Sequence, residues 1–403
     1  MLAVAFPAVG HEDHTWVAEN DGMASRAAMA AASGRYQSVV TPRIADVTLS
    51  LPADLAGDVE EAAAALSRFD EHARSTLGAA SPALGPMNSV LLRTESSSSS
   101  QIENLTVGAR QLALAEIGQS TSLNAQTVVG NVRAMEAALA LADRLDEDAI
   151  CTMQAELIGR QRGFEAHAGH YRSQLVWVGS SRITPRGAVH VAPQPELVPA
   201  AMADLVAFIR REDLPVLVQA GIAHAQFETI HPFTDGNGRT GRALVHALLR
   251  AKGVVVNATA PVSAGLLTTT DAYLDALGAY RAGDARPIVE RFTDASRFAA
   301  TSGARLVDDL ATQLAQSRAS LAGLRPQAAG WQILPHLIAH PVLNAALVKD
   351  VLHVNDATAQ RALAQLARSG VVDERTGMHR NRVWEHAGIL AVLDAYAQSL
   401  HRR

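Results

Sequence analysis

The stretch His231-Pro232-Phe233-Thr234-Asp235-Gly236-Asn237-Gly238-Arg239-Thr240-Gly241-Arg242 constrains this chain more than any other. Gly236 and Gly238 flank Asn237, so the backbone can turn tightly and come close to a ligand. Beyond the turn, Ala243, Leu244, Ala247 and Leu248 recur with helical spacing and predict a helix over residues 240–249. A glycine-rich turn that opens a helix offers backbone N–H groups and the positive end of the dipole, which is a cradle for anions. Arg239 and Arg242, three residues apart, reach the same side of the first turns, and their planar forks match phosphate oxygens. Asp235 is a hard oxygen ligand of the kind that shares Mg2+ with phosphates. His231 can take a proton near neutral pH. Each residue alone has an ordinary reading as a turn or surface position. Together they are the parts of a site for in-line transfer at phosphorus, where positioning and charge stabilisation do most of the catalysis. The phosphate-loop lysine pattern and a strand-borne GxGxxG are both absent, so the site is of another type.

Two further stretches bear on function. Ser96-Ser97-Ser98-Ser99-Ser100-Gln101-Ile102-Glu103-Asn104 reads by itself as a serine-rich connector before a helix start, with Ser100-x-x-Glu103 fitting a capping box. Residues 175–178 and 188–191 are short apolar runs, containing Val176 and Val178 in the first, separated by a turn-rich connection. They predict a hairpin whose exposed edge could hold an extended segment by strand addition.

Residues 231–242 match the His-x-Phe-x-Asp-Gly-Asn-Gly-Arg-x-x-Arg signature at every specified position, and in this the chain resembles the Fic (filamentation induced by cAMP) family. The resemblance extends to Gly169-His170-Tyr171-Arg172, Val176-Trp177-Val178-Gly179 and His190-Val191-Ala192-Pro193 upstream, and to Gly283-Asp284-Ala285-Arg286-Pro287 downstream, covering about residues 67–292. It implies a mainly α fold, a Fic-type helical bundle with a β-hairpin flap. It implies that His231 is the general base toward a Tyr, Ser or Thr hydroxyl and that Asp235 binds Mg2+. Gly236, Asn237 and Gly238 would hold the α- and β-phosphates of ATP, Arg239 would bind phosphate and Arg242 would pair with the γ-phosphate. The reaction so implied is AMP transfer to a target protein or to the chain itself, and Gly238 separates it from the branch that carries lysine there. Ser99-x-x-x-Glu103-Asn104 fits the family's (Ser/Thr)-x-x-x-Glu-(Gly/Asn) inhibitory motif, with Glu103 competing with the γ-phosphate for Arg242. Val176 and Val178 would lie on the target-docking flap. Tyr273 stands where relatives use aromatic side chains around the nucleotide, although Leu274 replaces the tyrosine often found beside it; helix core is the plain alternative.

Ala-rich amphipathic stretches at 59–66, 128–145, 197–209, 216–229 and 304–322 make the chain mostly helical. The segmentation read from the sequence is an irregular arm over 1–46, a helical region with the inhibitory motif over 47–120, a catalytic core over 121–300, a linking helix over 301–330 and a small domain over 331–403. That last segment resembles a winged helix: helical stretches at 333–339, 344–351 and 357–369, then Val371-Val372 and Val383-Trp384 around a turn with Arg375, His379, Arg380 and Arg382, then a final helix. DNA binding through Thr358, Gln360 and Arg361 is one reading. Protein docking is preferred, because the second helix carries few cations and begins Asn355-Asp356.

Composition adds exclusions. The formal net charge of −5 gives no global attraction to nucleic acid. The single cysteine, Cys151, fits a reducing cytoplasmic setting. The apolar start over 1–9 is short and runs into His11-Glu12-Asp13-His14, unlike a signal peptide, and no run is long enough for a membrane span. Alternatives to the transferase are the reverse reaction, a nucleotide-sensing DNA-binding regulator, and transfer of another nucleotide such as UMP. A homodimer is among the assemblies the resemblance allows.

Overall fold

A computed structural model of the chain describes residues 4–18, 25–78, 81–159, 161, 163–375 and 382–400. In chain order its elements are β1 (Gly10–Trp16), α1 (Arg26–Ala32), β2 (Gly34–Val40), α2 (Ala53–Leu77), α3 (Leu84–Ile102), α4 (Ala109–Glu116), α5 (Leu123–Ala140) and α6 (Glu147–Ile158). There follow β3 (Trp177–Val178), β4 (His190–Val191), α7 (Val198–Ile209), α8 (Val216–Ile230), α9 (Asn237–Ala251), α10 (Val262–Leu267), α11 (Thr270–Arg281) and α12 (Arg286–Ser320). The C-terminal part holds α13 (Ala329–Ile333), β5 (Val342–Leu343), α14 (Ala345–Leu352), α15 (Asp356–Arg368), β6 (Asp373–Glu374), β7 (Trp384–Glu385) and α16 (Ala387–Ser399). The protein is mainly α, as expected. None of the described helices is long and apolar enough to cross a membrane.

Packing divides the chain into two units of interleaved segments, in place of five consecutive ones. The first comprises residues 1–61, 133–252 and 270–293; the second comprises 62–132, 253–269 and 294–403. The boundary drawn from the sequence between 300 and 301 falls inside α12.

In the first unit, α8 is buried along nearly its whole length and packs beside α7 and α9. Close approach is built in at Gly241, where a Cβ would lie 2.9 Å from Phe227 Cδ1 and 3.1 Å from His224 Nδ1. Gln219 on α8 donates through Nε2 to the carbonyls of Phe208 and Ile209, at 2.9 Å each, and so satisfies the end of α7.

The segment expected to be an irregular arm is corrected by the structure. Residues 10–16 and 34–40 pair as an antiparallel ribbon, β1 with β2, from Gly10 opposite Val40 to Trp16 opposite Gly34. The ribbon grips the flap hairpin of β3 and β4. Trp16 Nε1 donates to the Ile183 carbonyl at 2.8 Å, and its ring meets Trp177 edge-on at 5.2 Å. Thr184 Oγ1 donates to Ala32 O, and Arg186 Nη1 to Ala31 O and Ser33 O.

The second unit contains another correction. The serine run is the buried C-terminal part of α3, neither a connector nor a helix start. Its hydroxyls are satisfied locally: Ser98 Oγ donates to Thr94 O and Ser100 Oγ to Ser96 O. Asn131 on α5 donates to Ser96 O at 2.7 Å and Ser100 Oγ at 3.2 Å. Glu95, fully buried, accepts from the Ser263 backbone N at 2.9 Å and from its hydroxyl. At the C-terminus, β5, β7 and β6 form an antiparallel sheet in that order, flanked by α13–α16. His379 and Arg380 of the expected wing turn lie outside the described residues.

Candidate active site

Helix α8 ends in a left-handed residue, His231 at φ 50°, ψ 61°, and so delivers the motif loop at a sharp corner. The His231 N–H donates to Phe227 O at 2.8 Å, closing the last turn. Its ring Nδ1 lies 3.4 Å from the Glu228 carbonyl oxygen and 3.8 Å from the Glu228 carboxylate. In the tautomer with its proton on Nδ1, that proton faces these acceptors and Nε2 is left as the proton-accepting nitrogen. The side chain is 19% exposed.

The loop is held from several sides. Pro232 and Phe233 are buried, with Phe233 against Tyr171 and Phe227. Asn237 closes the loop on itself: its Oδ1 accepts from Phe233 N at 2.9 Å and its Nδ2 donates to Phe233 O at 2.8 Å. Its side chain therefore shapes the turn. Gly236 sits at φ 80°, where a Cβ would also lie 2.6 Å from Leu157 Cδ2. Gln154 on α6, fully buried, donates to Asp235 O at 3.2 Å and accepts from Gly169 N at 2.6 Å.

Helix α9 starts at Asn237, earlier than the 240 expected, because the left-handed Gly236 caps it. The amides of residues 237–239 precede the first intrahelical bond, Thr240 N to Gly236 O at 2.9 Å. Arg239 and Arg242 are each 3% exposed at this positive end of the dipole. Asp235 stands 3.5 Å from Arg239, and its side chain is 36% exposed. Among the described residues no group of three or more His, Cys, Asp and Glu could hold a metal. One half-open carboxylate fits a cation that takes its remaining ligands from phosphates and water.

Arg172 is a residue whose role the sequence reading missed. It is 4% exposed, and its backbone N donates to Pro232 O at 2.9 Å. Its guanidinium donates to the carbonyls of His231 (2.8 Å), Gln174 (2.9 Å), Pro193 (2.7 Å) and Ile230 (3.4 Å). Burial pulls its pKa down to about 10, still well above neutrality. One fixed cation thus joins the His231 corner to the segment entering β3 and the one leaving β4.

On the flap, Val178 is 49% exposed and pairs with His190, while Val176 is partly buried and its carbonyl accepts from Ala192 N. His190 points inward, its ring 6.4 Å from that of His231 and its Nε2 3.0 Å from Thr229 O. Burial first, then the charges of Arg281 and His231, push the His190 pKa down to about 2, so it stays neutral. A groove of about 830 Å3 runs from His190 between the ribbon, the flap and α11, past Tyr36, Val189, Leu274 and Arg281. Tyr273 does not face it. Tyr273 is 2% exposed and its hydroxyl lies 2.7 Å from His224 Nε2, so the structure gives it the place of a core residue. Leu274, 54% exposed, Asp275, Gly278 and Arg281 line the groove from that helix.

Ser99, Glu103 and Asn104 belong to the second unit. Ser99 is fully buried in α3, Glu103 is the C-cap residue, and Asn104 follows at φ 63°. Asn and Gly are the residues that tolerate this left-handed position, which gives a physical reason for the Glu-(Gly/Asn) form of the motif.

Residues 144–249 match the model of the Fic/DOC family. The chain is 36% identical over 95 residues to a probable protein adenylyltransferase of Aquifex aeolicus, covering 23% of this chain and 27% of that one. It is 32% identical over 150 residues to protein adenylyltransferase fic-1 of Caenorhabditis elegans, covering 36% and 26% respectively. The chain thus matches about a quarter of the length of these relatives. Its fold is similar to the crystal structure of a Fic family protein from Desulfovibrio desulfuricans, with TM-score 0.52 and 22% identity over 87% of this chain and 99% of that one.

Proposed function

From the Fic domain of residues 144–249, we propose a protein adenylyltransferase that moves AMP from ATP to a Tyr, Ser or Thr hydroxyl of a target or of itself. The observation that carries this reading is the corner at His231 running directly into the capped, arginine-bearing start of α9. His231 Nε2 takes the hydroxyl proton as the oxygen attacks the α-phosphorus. The bond from the α-phosphorus to the bridging oxygen breaks, and pyrophosphate leaves. The amides at Gly236, Asn237 and Gly238, with Arg239, hold the α- and β-phosphates, and Arg242 holds the γ-phosphate. Asp235 would hold Mg2+ together with those phosphates, and the ion, when bound, offsets charge on the leaving group. Arg172 fixes the corner so that Nε2 and the phosphate cradle keep one geometry. Val178 and the flap edge dock the target segment by strand addition.

The resting enzyme is restrained by Glu103, which competes with the γ-phosphate for Arg242. A donor whose phosphates are displaced by about 1 Å from in-line geometry reacts ~100-fold more slowly. Incubation with ATP labelled on the α-phosphate tests both parts. Label is expected on protein with Glu103→Gly, little with the unaltered chain, and none with Glu103→Gly/His231→Ala. Equal labelling by the unaltered chain and Glu103→Gly would remove Glu103 from the account. Equal labelling by the single and double variants would remove His231.

A further inference from the structure

We infer that the C-terminal module, residues 329–400, holds the Glu103 segment in place through α4, so that loosening this attachment activates the enzyme. The inference rests on the inhibitory reading of Glu103 and adds the element that enforces it.

Glu103 and Asn104 end α3, and residues 105–108 lead directly into α4. The turn is defined by three amide bonds: Glu103 N to Ser100 O, Asn104 N to Gln101 O and Leu105 N to Ser100 O. Helix α3 is tied to α4 by Arg93, which is 7% exposed and meets Glu116 at 2.7 Å. Helix α4 in turn is seated on the C-terminal module. Ala113 shares a core with Val342, Val383 and Leu390, and Ala109, Leu114 and Ile117 pack around it. The first amide of α4, at Ala109, donates to Asp394 at 3.3 Å.

The ionic part of this seat is specific. Glu385 on β7 is 2% exposed and accepts from Arg110 of α4 at 2.5 Å and from Arg375 beside β6 at 3.1 Å. A buried carboxylate needs a cation. Arg375 keeps it inside the module, while Arg110 ties α4 to it. Arg110 is half-exposed, so its removal costs α4 its ionic tie to the module and leaves Glu385 paired with Arg375. The seam is also imperfectly filled. A cavity of about 60 Å3 lies among Thr94, Ser97, Gln101, Leu112, Leu393 and Leu400. Gln101, two residues before Glu103 and 8% exposed, has a buried Oε1 with no hydrogen-bond partner. A void and a buried acceptor without a hydrogen-bond partner near Glu103 weaken this joint once α4 is released.

The test uses the full chain with Arg110→Ala and Arg110→Lys, each with Glu103 and with Glu103→Gly, plus thermal melting to confirm folding. Two quantities are read: label transferred from α-labelled ATP, and hydrogen exchange at the Asn104 and Leu105 amides. Arg110→Ala is expected to raise transfer about fivefold when Glu103 is present and to change nothing in Glu103→Gly. It should speed exchange at both amides by a similar factor, with Arg110→Lys restoring much of the original behaviour. Unchanged exchange would overturn the inference, as would an equal rise in both backgrounds. If Glu103→Gly is no more active than the unaltered chain, the inhibitory reading fails instead, and the exchange result still decides whether the module holds the segment.

Discussion

At the scale of single residues, the motif loop is held by residues far from it in sequence. His231, Asp235, the two glycines and the arginines were legible because they lie within one short stretch. Arg172 and Gln154 were not, because their partners His231 and Asp235 are 59 and 81 positions away and nothing in their neighbourhood marks the pairing. Arg172→Lys should expose the difference between holding and reacting. An ammonium cannot reach four carbonyls from one planar fork. In the Glu103→Gly background kcat is expected to fall about 100-fold, with KM for ATP nearly unchanged, as for a misplaced base. A matched loss in KM would show that Arg172 serves nucleotide binding. Gly241→Ala tests the seat of α9 on α8. The added methyl meets Phe227 and His224, and a loss of about 1–3 kcal/mol is expected in denaturant melts.

At the scale of elements, the helices were readable and the serine run was not. Serine is a poor predictor of helix because its hydroxyl competes for backbone groups, yet in α3 that competition is turned into i−4 bonds and the small side chains are buried. The ribbon was missed for a related reason. Gly10–Trp16 is mostly exposed and lacks apolar alternation; its strand pairs with β2, and the Trp16 side chain reaches Ile183 of the flap, partners no local pattern announces. Helix α8 carries a further consequence. His224 is fully buried and burial, with the charge of Arg242, lowers its pKa to about 3, while His190 is held near 2. Both fall below the unfolded value of about 6.5, so the unfolded chain binds the extra protons. Stability is therefore unaffected by these groups above pH ~6.5 and is lost as pH falls from there toward the folded values, by at most about 1.4 kcal/mol per pH unit for each histidine. Melting temperature against pH checks this: His224→Gln should flatten the acid limb, and an unchanged limb would mean that other groups govern it.

At the scale of the whole molecule, the mainly α class followed from the spacing of apolar residues, whereas the division into units did not. Each unit draws on three separate stretches of sequence, so its boundaries depend on contacts between distant segments. The boundary drawn at 300 lies inside α12, which continues through it and past Gly303. Asn104 links this scale to the site. Asn104→Gly should leave the enzyme silent, while Asn104→Val, strained by about 1–2 kcal/mol at a left-handed position, should disturb the Glu103 cap and raise basal transfer. A Val variant as silent as the Gly variant would uncouple the cap from inhibition.

The central claim is that the His231 loop transfers AMP and expels pyrophosphate. It is tested most directly by supplying Glu103→Gly with ATP labelled on the α- or the γ-phosphate and following both protein and released phosphate. The account predicts α-label on protein and γ-label only in pyrophosphate, in equal amounts and both lost with His231→Ala. γ-Label on protein, or pyrophosphate released without labelled protein, would contradict it.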